Sequence, residues 1–171
     1  FRSDPDGYIY VFCATRGGFK GQIYKSKNPY DIDVFERVFE GGIPYPQPWY
    51  VPPKGWFLFH TLYKNGRQLY WRTSADGKEW SDAKLLAKKG HYNVTYAKGN
   101  RLITAFNWHP EGSNKRTNLY YVQTEDFGET WQDIHGKDVR IPMEFENSQT
   151  LIHDYRSENR IIYMNDIVLD N

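Results

Sequence analysis

Hydrophobic and polar residues alternate along most of this chain in short runs that end at Gly, Asn, Asp or Pro. The run at residues 56–63 reaches the pair Asn65-Gly66, and a second run follows at residues 68–73. An Asn-Gly pair between two such runs is the strongest short-range signal of a β-hairpin. The runs at 91–96 and 101–106 flank a Lys-Gly-Asn turn in the same way. The pattern therefore predicts an all-β fold.

A sequence repeat organises these strands. Residues 124–131, TEDFGETW, fit the pattern Ser/Thr-x-Asp-x-Gly-x-Thr-Trp, and residues 74–80 are a shorter copy whose Trp80 lies 51 positions before Trp131. A period near fifty residues with four short strands is typical of a β-propeller blade. In such a turn we expect Asp126 to accept backbone N–H groups and Gly128 to supply a positive φ. This pattern is the Asp box of the sialidase-like propellers.

The repeat predicts a β-propeller of four-stranded antiparallel blades over residues 1–171. The predicted blades cover about 1–39, 55–86 and 91–140, and a fourth begins at 161–171. About three and a half blades cannot close a ring, which needs roughly four to eight. We therefore expect the rest of the propeller to come from sequence missing from this chain.

Composition and charge narrow the possible partners. Lys plus Arg number 22 and Asp plus Glu number 21, a net charge of +1 that argues against nucleic-acid binding. No apolar run approaches the ~18 residues that would cross a bilayer, so we expect no membrane partner. The single Cys13 excludes an internal disulfide framework. Aromatic residues make up 18% of the chain and are rich in Tyr and Trp, which fits a surface that binds sugars.

Propeller topology predicts where a site would lie. The Asp-box turns mark one face, whereas the connections between the second and third strands, and between blades, share the opposite rim. Loops on a rigid scaffold commonly carry binding and catalytic residues. On this rim the sequence places the Pro-rich segment 40–55, His91, His109 and the long segment 141–160, which contains Tyr155, Arg156 and Arg160.

Each of these residues also has a structural interpretation. His91 begins a strand, where it would serve equally well to hydrogen-bond a neighbouring blade. His109 precedes Pro110 in a polar loop, which favours a functional role. Tyr and Arg are common on any rim. We expect His60 to be structural, His153 to be a buried structural residue and His135 to be exposed.

The segments 90–92, 104–110, 115–121 and 124–131 resemble a known family. They are similar to the BNR-repeat seven-bladed propellers that include L-rhamnose-α-1,4-D-glucuronate lyases and related α-L-rhamnosidases, distant relatives of the propeller ulvan lyases. The resemblance covers about residues 55–171 and is most specific from Thr104 to Trp131. It implies a secreted or periplasmic protein that acts on a glycan containing uronic acid and rhamnose.

The resemblance also implies catalytic residues. His109 and His91 match two family histidines, Tyr155 falls at a suitable distance for the family tyrosine, and the family arginine corresponds to Arg156 or Arg160. In β-elimination an Arg neutralises the uronate carboxylate while His or Tyr moves the proton. The chemistry requires no metal or cofactor, although the spacing leaves open a metal shared by the two histidines. Trp108, Trp49, Tyr50 and Arg116 are candidates for substrate binding.

Two other functions remain open at this stage. A glycoside hydrolase would use two carboxylates about 5–10 Å apart, for which Glu111, Glu144, Glu146 and Asp154 are available; a sialidase would further need three clustered arginines. A non-catalytic propeller would only bind a glycan, with Trp49, Tyr50 and Trp108 stacked on its sugar rings.

Overall fold

The computed structural model describes residues 1–14, 20–110 and 115–170, and within them it contains strands and no helix. Three four-stranded sheets follow one another along the chain, each with its strands in sequence order. The strands are β1 Arg2–Ser3, β2 Ile9–Cys13, β3 Gly21–Ser26 and β4 Phe35–Gly41; β5 Gln47–Val51, β6 Gly55–Leu62, β7 Gln68–Ser74 and β8 Lys84–Lys88; β9 Gly90–Lys98, β10 Arg101–Trp108, β11 Thr117–Thr124 and β12 Leu151–His153. The predicted all-β class with four-stranded antiparallel blades is confirmed.

The chain forms two compact units. The first comprises Phe1–Leu62 with Trp71–Lys84, and the second comprises Tyr63–Tyr70 with Leu85–Asn171. No helix within the described residues has the length and hydrophobicity of a membrane span.

The first unit packs around aromatic and aliphatic side chains of β2, β3 and β6. Tyr10, Ile23, Trp56 and Leu58 are buried together with Ile43, and the rings of Tyr10 and Trp56 lie 4.5 Å apart. Burial alternates along the first three residues of β3, whereas every residue of β6 is buried. Full burial of this kind is expected of a central strand that is covered on both faces.

The second unit is built around β10. Every residue of β10 after Arg101 is buried, because β9 and β11 pair with it on either side. Phe106 stacks on Tyr120 of β11 with ring centroids 5.4 Å apart. β10 is therefore a buried central strand of this unit, and His109 follows directly after it.

The turn at residues 124–131 is held by the carboxylate of Asp126. Asp126 accepts hydrogen bonds from the backbone N–H of Glu129 (3.0 Å) and Thr130 (2.9 Å) and from the Thr124 hydroxyl (2.8 Å). Partial burial alone would raise the pKa of Asp126, but these bonds, with one from the Thr130 hydroxyl, lower it to about 2. Asp76 accepts the corresponding bonds from Lys78 and Glu79 in the shorter turn.

The observed sheets differ from the predicted blade limits in two places. β5 lies inside the segment 40–55, where a loop was expected; Pro48 is tolerated because β5 is an edge strand. The third sheet is completed by β12, inside the segment expected to be a long connection, and not by residues before 140. Residues 161–170 contain no strand, since no described strand pairs with them.

Replacing Asp126 by Ala should destabilise the protein. The variant loses three or more hydrogen bonds to a charged acceptor, and we expect the free energy of unfolding to fall by about 1–3 kcal/mol. Chemical denaturation measures the change, with Glu129→Ala, an exposed residue of the same turn, as the control. Equal stability of the two variants would show that the Asp126 carboxylate does not hold the turn.

Candidate functional site

Two imidazoles meet at one end of the third sheet. The rings of His91 on β9 and His109 after β10 lie 5.6 Å apart, and the residues are 0% and 3% exposed. Asn107 stands opposite His91 in the β9–β10 register, and the backbone N–H of His109 donates to the Lys89 carbonyl at 2.7 Å. Strand pairing that continues past the end of β10 thus places both rings together, as expected for these two histidines.

Two β-bulges flank this end of β10. The register shifts against β9 between Ala105 and Asn107 and against β11 between Phe106 and Trp108. Tyr92 (φ 47°) and Asn118 (φ 61°) adopt left-handed backbone on the two flanking strands. Such backbone costs a residue such as Tyr92 roughly 1–2 kcal/mol, whereas Asn tolerates it better. Bulges commonly redirect side chains beside active sites. Here the Tyr92 ring comes to 4.1 Å from His91 and 6.2 Å from His109.

The loop between β6 and β7 supplies a partner to each histidine. The Tyr63 hydroxyl lies 3.1 Å from Nε2 of His91, and Nη1 of Arg67 lies 2.7 Å from Nε2 and 2.9 Å from Nδ1 of His109. Asn65 and Gly66 have positive φ values of 53° and 98°, as a tight hairpin turn requires. This hairpin was predicted from the sequence, but Tyr63 and Arg67 were not singled out as candidate site residues.

Arg116 forms the opposite side of the cluster. Its guanidinium lies 4.3 Å from the Tyr92 ring centroid and 3.9 Å from that of Tyr163, a cation–π contact with each ring. The backbone of Arg116 also has a partner, because the Ile162 N–H donates to the Arg116 carbonyl at 3.3 Å. The structure therefore brings Arg116, a predicted substrate-binding residue, beside the histidine pair.

The cluster combines neutral imidazoles with positive charge. Burial, with the charges of Arg67 and Arg116 and the neighbouring imidazole, lowers the pKa of His91 from 6.5 to about 3. Burial and the same two arginines lower the pKa of His109 to about 4. At neutral pH both imidazoles are thus uncharged, in a positive field suited to an anionic group.

The buried Asn107 amide is a further residue that the sequence did not single out. Asn107 is fully buried, and neither its Nδ2 nor its Oδ1 has a hydrogen-bond partner among the described residues. Buried amides without a partner are rare and often contact a water or a ligand. Groups of three or more His, Cys, Asp or Glu able to hold a metal are absent from the described parts of the chain.

The predicted residues of segment 141–160 have other partners. Arg156 forms an ion pair with Glu146, Arg160 lies 3.0 Å from Glu158, and the Tyr155 ring is 4.3 Å from His153. The arginines beside the histidine pair are thus Arg67 and Arg116, whereas Arg156 and Arg160 are engaged by nearby carboxylates. The roles of Tyr155, Arg156 and Arg160 remain predictions.

The predicted sugar-stacking residues also pack against protein groups. Trp108 is 6% exposed and lies 6.2 Å from Tyr120, so little of its ring is open to a sugar. In the first unit, the Arg2 guanidinium lies 4.4 Å over Trp49, and the Tyr50 ring is 5.3 Å from Trp56.

The remaining histidines differ in environment. His60 is fully buried and accepts a hydrogen bond from Arg72 at 3.3 Å. Burial, and then the charge of Arg72, lowers its pKa to about 3. His135 is exposed, as predicted. The expectation for His153 is wrong: it is exposed and pairs with Glu158 at 2.7 Å, because β12 lies at the sheet edge.

The carboxylates considered for a hydrolase lie mainly on the segment before and after β12. Glu146 and Asp154 line one depression with Asn118 and Arg156, whereas Glu144 pairs with Lys88 at 2.6 Å. Glu111 falls outside the described residues.

Stability should fall as the pH is lowered from 6.5 towards 4. His91 and His109 titrate at about 3 and about 4 in the folded state, below their ordinary 6.5, so the unfolded chain binds more protons across this interval. Thermal unfolding at a series of pH values measures the slope. His109→Gln should reduce it, whereas His135→Gln, an exposed histidine, should not; identical slopes in both variants would contradict the assignment.

Comparison with known proteins identifies the family and the fold. A model of the BNR repeat-containing family matches residues 1–171. No curated protein sequence matches the chain significantly. Two structures of an ulvan lyase, described as a new polysaccharide lyase family, PL25, are similar to this chain, one of them bound to -[GlcA(1-4)Rha3S]-. Each has a TM-score of 0.72 and 18% identity, with 88% of this chain covered.

The chain spans less than half, 44%, of each ulvan lyase chain. At this level of identity the likeness shows the fold, and the three sheets are propeller blades. Because the family model matches the whole chain, residues 1–171, the chain belongs to the BNR repeat-containing family.

Proposed function

We propose that the protein is a polysaccharide lyase that cleaves rhamnosyl-glucuronate linkages by β-elimination. The observation that carries this proposal is the pair of neutral imidazoles, 5.6 Å apart, beside the guanidinium groups of Arg67 and Arg116. The ulvan lyase of the same fold, bound to a glycan of glucuronate and sulfated rhamnose, supports the substrate class. In this proposal the protein is exported, as its substrate is extracellular.

The reaction needs a base, an acid and a positive charge. A base removes the proton from C5 of the glucuronate, the electrons form a C4=C5 double bond, and the C4–O4 bond breaks. O4 takes up a proton and leaves with the rhamnose. The charge that develops on the carboxylate must be stabilised, which is usually the largest catalytic contribution. No oxidant or reductant is consumed.

The cluster contains a group for each of these roles. A neutral imidazole of His109 or His91 accepts the C5 proton and becomes an imidazolium. That imidazolium, or the Tyr63 hydroxyl that lies 3.1 Å from Nε2 of His91, then donates a proton to O4 as the C4–O4 bond breaks. Arg67 and Arg116 are placed to neutralise the carboxylate. They replace Arg156 and Arg160 in that role, since those two arginines already pair with Glu146 and Glu158.

A hydrolase is the second candidate, and one observation favours it. Glu146 and Asp154 line the same depression, as the two carboxylates of a glycosidase would. Glu146 forms an ion pair with Arg156, however, and it would have to leave that partner to serve as the general acid that hydrolysis also needs.

The two candidates give different products from one substrate. The full-length protein is incubated with a rhamnosyl-α-1,4-glucuronide while short-ultraviolet absorbance and free rhamnose are followed. A lyase produces both rhamnose and the absorbance of the 4,5-unsaturated uronate. Rhamnose without that absorbance would contradict the lyase proposal in favour of a hydrolase, and glycan binding without either product would favour a binding protein.

His109→Gln should lower the turnover number by roughly 10²–10⁴-fold, the usual contribution of a general base or acid. His135→Gln, in an exposed turn, is the matched control and should retain full activity. Glu146→Gln separates the candidates, since it should abolish hydrolysis but leave elimination in place. Full turnover by folded His109→Gln would refute the assignment.

A further inference from the structure

Arg67 contacts the His109 ring nitrogen that would act as the base in the proposed reaction. Its Nη1 lies 2.7 Å from Nε2 of His109 and 2.9 Å from Nδ1, so a charged donor points at the neutral ring. A ring nitrogen that accepts this hydrogen bond cannot at the same time accept a proton from C5 of a sugar. With His109 only 3% exposed, the observed arrangement is closed to substrate.

A carboxylate is a better partner for Arg67 than a neutral imidazole. Hydrogen bonds between two charged groups are roughly twice as strong as neutral ones, and guanidinium binds carboxylate through two parallel N–H groups. A uronate that reached the cluster would therefore compete with His109 for the same guanidinium. His91, Tyr92 and Arg116 also face His109, and among them only Arg116 is always charged.

The two arginines differ in how they are held. Arg116 lies between the rings of Tyr92 and Tyr163, and its carbonyl accepts from Ile162. Arg67 follows the exposed turn Asn65-Gly66, where a Cβ added to Gly66 would meet no atom within 4 Å. The turn that carries Arg67 is thus exposed, and a change of partner by Arg67, with Arg116 kept in place, is the movement that would free the His109 ring.

We infer that Arg67 is an anion-responsive gate: a uronate carboxylate draws its guanidinium away from His109 and so frees the His109 ring nitrogen. The inference rests on the proposed function for the identity of the anion. In this inference Arg67 both covers the His109 ring and binds the substrate carboxylate. Binding of the substrate therefore makes the His109 base available.

Nuclear magnetic resonance of histidine-labelled protein tests the gate without turnover. Sodium glucuronate is added to the full-length protein while the imidazole nitrogens of His109 are observed, and binding is measured by calorimetry. Bound glucuronate should raise the pKa of His109 by at least about one unit, because a cation leaves the ring and an anion arrives. Glucose, which has no carboxylate, should have no effect.

Variants distinguish movement of Arg67 from a purely electrostatic effect of bound glucuronate on the His109 ring. In Arg67→Gln the pKa of His109 should already be raised without ligand, glucuronate should add little, and its affinity should fall about tenfold. Arg101→Gln is the matched control, since Arg101 pairs with Glu125 at the other end of β10, and it should behave as the wild type. Binding of glucuronate with no change at His109, an equal response in Arg67→Gln, or no binding at all would overturn the inference.

The outcome is distinguishable from failure of the proposed function. If the protein eliminates rhamnose from a rhamnosyl-glucuronide but His109 does not respond to glucuronate, the gate is wrong and the lyase proposal stands. A glucuronate-dependent change at His109 that is lost in Arg67→Gln, without elimination, would support the gate and contradict the lyase.

Discussion

The hydrogen bond from the His109 backbone to the Lys89 carbonyl, 2.7 Å long, is the contact on which the site depends. It extends the pairing of β9 and β10 beyond the last residue of β10, and so brings two histidines 18 positions apart in sequence to 5.6 Å between their rings. A shift of register by one residue would turn His91 to the other face of the sheet. The bulges at Tyr92 and Asn118 then adjust the directions of the side chains around this point.

Burial and charge act in the same direction on the imidazoles. Removal from water disfavours the protonated ring, and the guanidinium groups of Arg67 and Arg116 disfavour it further. The rings are therefore neutral at neutral pH, while the arginines supply the positive charge that a carboxylate requires. The Arg67 side chain also covers His109. Access of the substrate to the site and release of the His109 base therefore depend on the same side chain.

The sequence was sufficient to predict features that depend on local pattern. The Asn65-Gly66 hairpin, the turn around Asp126 and the placement of His91 and His109 on one rim follow from alternation, turn residues and blade topology. Tyr63 and Arg67 were missed because their partners come from another part of the chain. The left-handed backbone of Tyr92 was missed because no residue type marks it. The ion pair between Arg156 and Glu146 was not predicted either, because it forms only in the folded chain.

A crystal structure of the full-length protein, inactivated by His109→Gln and bound to a rhamnosyl-glucuronate oligosaccharide, tests the account most directly. The account predicts the uronate carboxylate within hydrogen-bonding distance of Arg67 and Arg116, with C5 facing the position of the missing imidazole. A glycan bound instead in the depression lined by Glu146 and Asp154, with Arg67 still directed at residue 109, would contradict it.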